Sequence, residues 1–142
     1  MLAELRYRIR HFLRESDAAA RQAGLEPQQY LLLLAVRGLP RDMKPTIRNL
    51  AERLGLKHNS TVELINRLQS RACVQRIRNP EDRRCVLVSL LPRGQKLLEQ
   101  VARQRITEMR EGGVELVDAM TAVLGYKPRR RKSRKEGSAR KP

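Results

Sequence analysis

The sequence predicts a mainly helical fold interrupted once by a small β-hairpin. Three observations carry this. Apolar residues recur at helical spacing on both sides of residues 73–90. Residues 73–90 hold two β-branched runs around a polar, proline-containing tip. Gly and Pro fall between the periodic stretches, where helices stop and start.

Leu2, Leu5, Ile9, Phe12 and Leu13 form a narrow apolar stripe. They predict a first helix from about Leu2 to Ala23, with Gly24 as its C′ residue. Pro27 fits the first turn of a second helix running to Gly38. That helix carries Tyr30, Leu31, Leu33, Leu34 and Val36 and is apolar nearly all round, so it is expected at the buried centre. Leu39 to Pro45 reads as a loop. Thr46 is placed to cap a short helix whose Ile47, Leu50, Ala51 and Leu54 face inward, and Gly55 stops it. A fourth helix runs from about His58 to Ala72 with Leu64, Ile65 and Leu68 as its inner stripe. Two short helices joined through a Gly-containing turn match a helix-turn-helix.

The strands follow as Cys73–Ile77 and Cys85–Leu90 around Asn79–Arg84. A hairpin directly after a helix-turn-helix is a wing, so the fold class is mainly α with a small β wing: a winged helix-turn-helix. Pro92 opens a fifth helix to about Arg110, Gly112-Gly113 breaks it, and Val114, Leu116, Val117, Met120, Val123 and Leu124 give a short sixth helix. The narrow first stripe and the apolar sixth helix have too little to pack on inside one small domain. The N- and C-terminal helices are therefore expected to form a dimerisation region. This gives one domain over 1–126, with the winged helix at about 27–91 and dimerisation helices at about 2–23 and 92–124. Residues 127–142 form a basic tail whose composition cannot bury a core, and it is expected to be disordered.

The 142 residues include 31 Lys and Arg against 15 acidic residues, a net charge of +16. Half of that excess lies in the tail from Lys127, which carries nine basic residues and one acidic. The remainder makes the body basic in its own right, which points to a polyanionic partner. Only one Phe, three Tyr and no Trp are present. Single-strand and RNA-sheet binders stack bases on aromatic rings, so this poverty favours duplex DNA. Two cysteines make no disulfide framework, the start is interrupted by charge, and the longest apolar run, Tyr30 to Val36, is too short for a bilayer. A cytoplasmic setting without membrane contact is expected. Cys73 and Cys85 are expected near opposite ends of the hairpin, with Arg78 roughly facing Cys85, as buried inert thiols. His11 and His58 have no third ligand at metal spacing, and no phosphate-binding glycine loop or catalytic acid pair is visible, so no metal, cofactor or enzymatic role is expected.

The order helix, helix, helix-turn-helix, wing, two helices resembles the multiple-antibiotic-resistance-regulator (MarR) family over about residues 2 to 124. The stretch from Asn79 to Gly94 is similar to that family's wing signature: Asp82 and Arg84 match its Asp-x-Arg, and Leu90 and Gly94 match its Leu-Thr-x-x-Gly. Leu91 stands where the family has Thr, so a helix-capping hydroxyl is lost. The run Leu50-Ala51-x-x-Leu54-Gly55-Leu56 agrees. The resemblance implies a homodimeric transcription regulator, in the commonest form a repressor, reading a pseudo-palindromic duplex site. The alternative is a nonspecific architectural DNA binder. The family also implies a small effector, frequently aromatic or anionic. Tyr7, Arg8, Phe12 and Tyr30 are candidates to line its cleft but fit plain core or interface better, so no effector site is assigned.

Recognition-helix N-termini reach base edges in the major groove. Lys57, His58, Asn59, Ser60, Thr61 and Glu63 occupy that position. Asn59 can pair with adenine, Ser60 and Thr61 can bond bases or phosphates, and Glu63 can accept from cytosine or exclude wrong sequences. Thr61 also borders the inner stripe, so packing competes with contact there. Arg67 and Arg71 suit phosphate or solvent, and Thr46 can cap its helix and also donate to phosphate. Arg83 and Arg84 sit at the wing tip, where a guanidinium can enter the minor groove. In the family the arginine matching Arg84 does so, and the acid matching Asp82 steadies it. The tail from Lys127 either binds DNA backbone or only solubilises.

Overall fold

A computed structural model describes residues 1–125. The expected disorder of residues 127–142 lies outside the described residues. The element order is α1 (Leu2–Gln22), α2 (Pro27–Gly38), α3 (Ile47–Leu54), α4 (His58–Ser70), β1 (Val74–Arg78), β2 (Val86–Leu90), α5 (Pro92–Gly112) and α6 (Val114–Leu124).

Local chemistry sets most of these boundaries. At the end of α1, Gly24 takes φ +81°, Leu25 N–H donates to Ala20 O at 2.9 Å, and Gly24 N–H donates to Arg21 O at 2.9 Å. That is a Schellman closure, and its apolar member Leu25 is buried. Pro27 opens α2 as expected, beside a capping box in which Gln29 Oε1 accepts from Glu26 N–H at 3.0 Å. The Thr46 hydroxyl accepts from Asn49 N–H at 3.1 Å and caps α3. Gly55, at φ +64°, ends it.

α4 stops at Ser70, two residues before the expected end. Ala72 adopts φ +55°, the one non-glycine residue with positive φ among the described residues. The closure puts Cys73 N–H on Leu68 O at 2.9 Å and turns the chain into β1. An alanine there carries about 1–2 kcal/mol of left-handed strain. Glycine would remove it while adding about 0.5–1 kcal/mol of chain entropy cost. Ala72→Gly should therefore stabilise the fold by up to about 1 kcal/mol. A higher urea midpoint with an unchanged m-value checks this, and a lower midpoint refutes it.

The core joins the inner faces of α2, α3 and α4 to the hairpin and to α5: Leu32, Leu33, Leu50, Ile65, Leu68, Val74, Val88 and Val101 are fully enclosed. α2 is less uniformly buried than its composition suggests. Tyr30, Leu32 and Leu33 are inside, whereas Leu31 and Leu34 remain 43% and 41% exposed. One chain of this size supplies layers for one side of that helix only.

The hairpin is antiparallel, pairing Val74 with Leu90, Arg76 with Val88 and Arg78 with Val86. The register is one residue from the expected Arg78–Cys85 pairing, because Asn79 N–H takes the Cys85 carbonyl at 2.9 Å. Cys73 is fully buried and Cys85 half-buried; both are free thiols at opposite ends of the ladder. A feature absent from the sequence reading is a third short edge: Val88 N–H donates to Pro45 O at 2.9 Å, and Thr46 bridges Leu87. The wing is thereby tied to the start of α3.

Leu91, at the N-cap of α5, offers no side-chain cap, as expected from the missing hydroxyl. Its first turn lies directly on the backbone of Cys73. Leu91 N–H donates to Cys73 O at 2.9 Å, and a Cβ on Gly94 would overlap that same carbonyl. α6 packs on α1 and α5, burying Ala119.

Candidate nucleic-acid interface

Charge is segregated along the fold. Residues 40–93, which hold α3, α4 and the wing, carry twelve basic and five acidic residues, a net +7. Residues 1–39 carry +2 and residues 94–126 carry −1. Nearly all the positive charge of the body thus belongs to the helix-turn-helix and its wing.

The first turns of α4 present their side chains outward. Lys57, His58, Asn59, Ser60 and Glu63 are exposed, and Asn66 and Arg67 continue the same face one turn on. Thr61 does not belong to it. Its side chain is completely buried, and its hydroxyl donates to Lys57 O at 3.0 Å within the helix. Thr61 is therefore a core residue, and the expected base or phosphate contact is corrected. Thr46 is half-buried with its hydroxyl engaged as the α3 cap.

At the wing tip, Arg83 and Arg84 are exposed and make no ion pair among the described residues. The loop carrying them is ordered by two side chains bonded to nearby backbone. Asp82 Oδ1 accepts from Arg84 N–H at 3.1 Å, and Asn79 Oδ1, itself buried, accepts from Glu81 N–H at 3.1 Å. Asp82 thus steadies the backbone under Arg84. A further strut is the Lys44–Glu81 pair at 2.6 Å, which joins the α2–α3 loop to the wing. The Lys44 ammonium holds the Glu81 carboxyl below its ordinary range.

Two arginines have partners that sequence reasoning missed. Arg71, expected at phosphate or solvent, instead donates through Nη1 to Gln29 Oε1 at 2.9 Å, fastening the end of α4 to the start of α2. Arg76, on β1, reaches across to α4: Nη2 donates to Asn66 Oδ1 at 2.7 Å and Nη1 donates to Gln69 Oε1. Only the packing of β1 against α4 reveals the second.

Away from this face, a cavity of about 200 Å³ lies among α1, α5 and α6. Arg8 and Phe12 line it; Tyr7 and Tyr30, the other candidates for an effector cleft, do not. Its floor is the buried Arg105, stacked 5.0 Å from the Phe12 ring centroid and paired with Glu108. Glu108 is thereby paired with an internal arginine rather than a surface one. Among the described residues, no group of three His, Cys, Asp or Glu side chains is arranged for a metal. No helix there is long and apolar enough to cross a membrane.

These elements define a winged helix-turn-helix protein. Residues 23–84 match the MarR family model. An uncharacterized HTH-type transcriptional regulator of Bacillus subtilis, YsmB, is 32% identical over 79 residues, spanning 56% of this chain and 54% of that protein. The match thus covers about half the length of that relative. The fold is similar to AbsC, a MarR family transcriptional regulator from Streptomyces coelicolor, with TM-score 0.67 and 18% identity over 83% of this chain and 82% of that one. It is also similar to a MepR mutant of S. aureus bound to an oligodeoxyribonucleotide, with TM-score 0.64 and 21% identity over 88% and 94% of the two chains. Residues 23–84 are thus similar to the MarR family, and the relatives named here are described as transcriptional regulators.

Proposed function

We propose that this protein is a sequence-specific transcription regulator that binds a pseudo-palindromic duplex site as a homodimer and represses the genes beside it. The observation that carries the reading is the pairing of an exposed polar helix face with an exposed Arg83–Arg84 tip that makes no ion pair among the described residues, inside the segment that holds nearly all the body's positive charge. In this reading Lys57, His58, Asn59, Ser60 and Glu63 meet base edges and nearby phosphates. Arg67 meets the backbone, Arg83 and Arg84 enter the minor groove, and Asp82 supports them. Thr46 acts on DNA through the helix it caps. The MepR mutant bound to an oligodeoxyribonucleotide shares the fold and supports a DNA partner. A regulator of this kind works in the cytoplasm, with the DNA it reads. Selection of bound genomic fragments, followed by affinity for the selected and a random duplex at one salt concentration, tests the reading. A ratio of at least about 10³ is expected of a specific regulator. A ratio near one would favour a nonspecific architectural binder.

The dimer rests on apolar surface left uncovered at the ends of the chain. Leu13 on α1, Ile106 and Met109 on α5, and Val114, Val117 and Leu124 on α6 are all about half exposed or more. A charge placed there has little to disturb within one chain but must be desolvated in a dimer. Val117→Glu is expected to yield a folded monomer with weakened operator binding, since two half-sites one helical turn apart need two linked recognition helices. Sedimentation of wild type and variant at micromolar concentration checks this; a monomeric wild type refutes the dimer.

A further inference from the structure

We propose that Arg76 is a preorganised phosphate clamp, gripping the one DNA backbone strand that runs between the major groove entered by α4 and the minor groove entered by the wing. The inference rests on the reading of α4 and the wing as the duplex-binding face. Neighbouring major and minor grooves share a single sugar-phosphate wall. A protein that puts a helix in one and a hairpin tip in the other must pass that wall over the surface joining them. Here the joining surface is the junction of β1 with the outer face of α4, and Arg76 spans it.

The side chain is prepared for an anion. A guanidinium has five N–H donors in a fixed fork. Asn66 Oδ1 takes one from Nη2 at 2.7 Å, and Gln69 Oε1 takes one from Nη1. Both partners are neutral amides, so the positive charge is left uncompensated, and Arg76 forms no ion pair among the described residues. Three donors remain. Ser70 completes a shallow open depression with Asn66, Gln69 and Arg76, its hydroxyl bonded to Asn66 O at 3.0 Å. Pinning a long flexible side chain before binding removes entropy that the complex would otherwise lose. The contact reads no base, so it adds affinity and register without sequence preference.

The test is a set of salt titrations with the full chain on the selected operator and a random duplex of equal length. Arg76→Gln should lose roughly tenfold in affinity on both duplexes, with the operator-to-random ratio unchanged. Its log–log salt slope should fall by about one, as expected when one fewer phosphate is neutralised. Arg76→Lys should keep the slope and lose part of the affinity. The pair Asn66→Ala and Gln69→Ala, which keeps the charge and frees the fork, should weaken both duplexes severalfold at unchanged slope. An unchanged slope in Arg76→Gln overturns the clamp, as does a loss confined to the operator, which would make Arg76 a strut that only positions the wing. If Arg76→Gln does not fold, the double variant decides, and full affinity there overturns the preorganisation. A wild-type chain that binds neither duplex overturns the proposed function and the clamp together. Binding by wild type with no slope change in the variant overturns the clamp alone.

Discussion

Replacing Gly94 with Ala is expected to cost roughly 3 kcal/mol of folding stability, a large effect for one methyl group at a helix start. In the first turn of a helix, alanine is ordinarily the better residue by up to about 1 kcal/mol. The expected sign is opposite because the added Cβ would occupy the position of the Cys73 carbonyl. That obstacle is backbone and cannot swing aside. Cys73 is itself fully enclosed, and its carbonyl already accepts from Leu91 N–H. Relief requires α5 to lift off β1, which would strain that bond and open the Val74–Leu98–Val101 part of the core. A fall of about 10 °C in the melting temperature is the expected readout. A change within about 2 °C would show that the backbone relaxes freely around the methyl group. The same close approach fixes the long α5 helix against the root of the wing.

Gly94 also shows what kind of information the sequence holds. It is visible as a matching position in a wing signature, but the reason for it, a helix start pressed on a strand's backbone, appears only with the packing. Local signals are read well from the chain. Pro27 and Thr46 start helices where they stand, and Gly24 and Gly55 end them, because capping and left-handed closure depend on neighbours a few residues away. Signals that depend on distant segments are not legible. The Pro45–Thr46 edge that joins the wing involves residues some forty positions apart, and no periodicity marks it. Arg71 and Arg76 look like any surface arginine until Gln29 and the amides of α4 are seen beside them. Thr61 had two readings open at a stripe's edge, and its complete burial decides for the core. For α2, composition described the helix but not how much neighbouring chain exists to cover it, hence the exposure of Leu31 and Leu34.

At the wing tip, Arg84→Ala and Asp82→Ala should both weaken operator binding, although one removes a positive charge and the other a negative one. If Arg84 enters the minor groove as proposed, Arg84→Ala removes a charged contact worth about 1–3 kcal/mol, with the fold intact because the exposed side chain supports no core. For Asp82 two effects compete. Its carboxylate near DNA repels phosphate, so simple electrostatics makes Asp82→Ala a tighter binder, most visibly on random duplex at low salt. Its Oδ1 also holds Arg84 N–H at 3.1 Å, and Cys85 N–H closes the same turn onto Asp82 O at 3.0 Å. Losing the side-chain bond costs about 1 kcal/mol of loop order, which must be recovered whenever Arg84 is seated in the groove. On the operator the ordering term should win, giving a loss of about fivefold at physiological salt, where exposed charges are screened beyond about 8 Å. On random duplex, where the wing has no groove register to hold, the charge term should win and affinity should rise slightly. Opposite signs on the two duplexes are thus the expected signature of an acid that acts through the turn. Asp82→Asn keeps the accepting oxygen and removes the charge. It should bind the operator at least as well as wild type and raise affinity for random DNA. If Asp82→Ala instead strengthens both duplexes equally, Asp82 is only a repulsive charge, and the ordering of the wing must come from Asn79 and the Lys44–Glu81 strut.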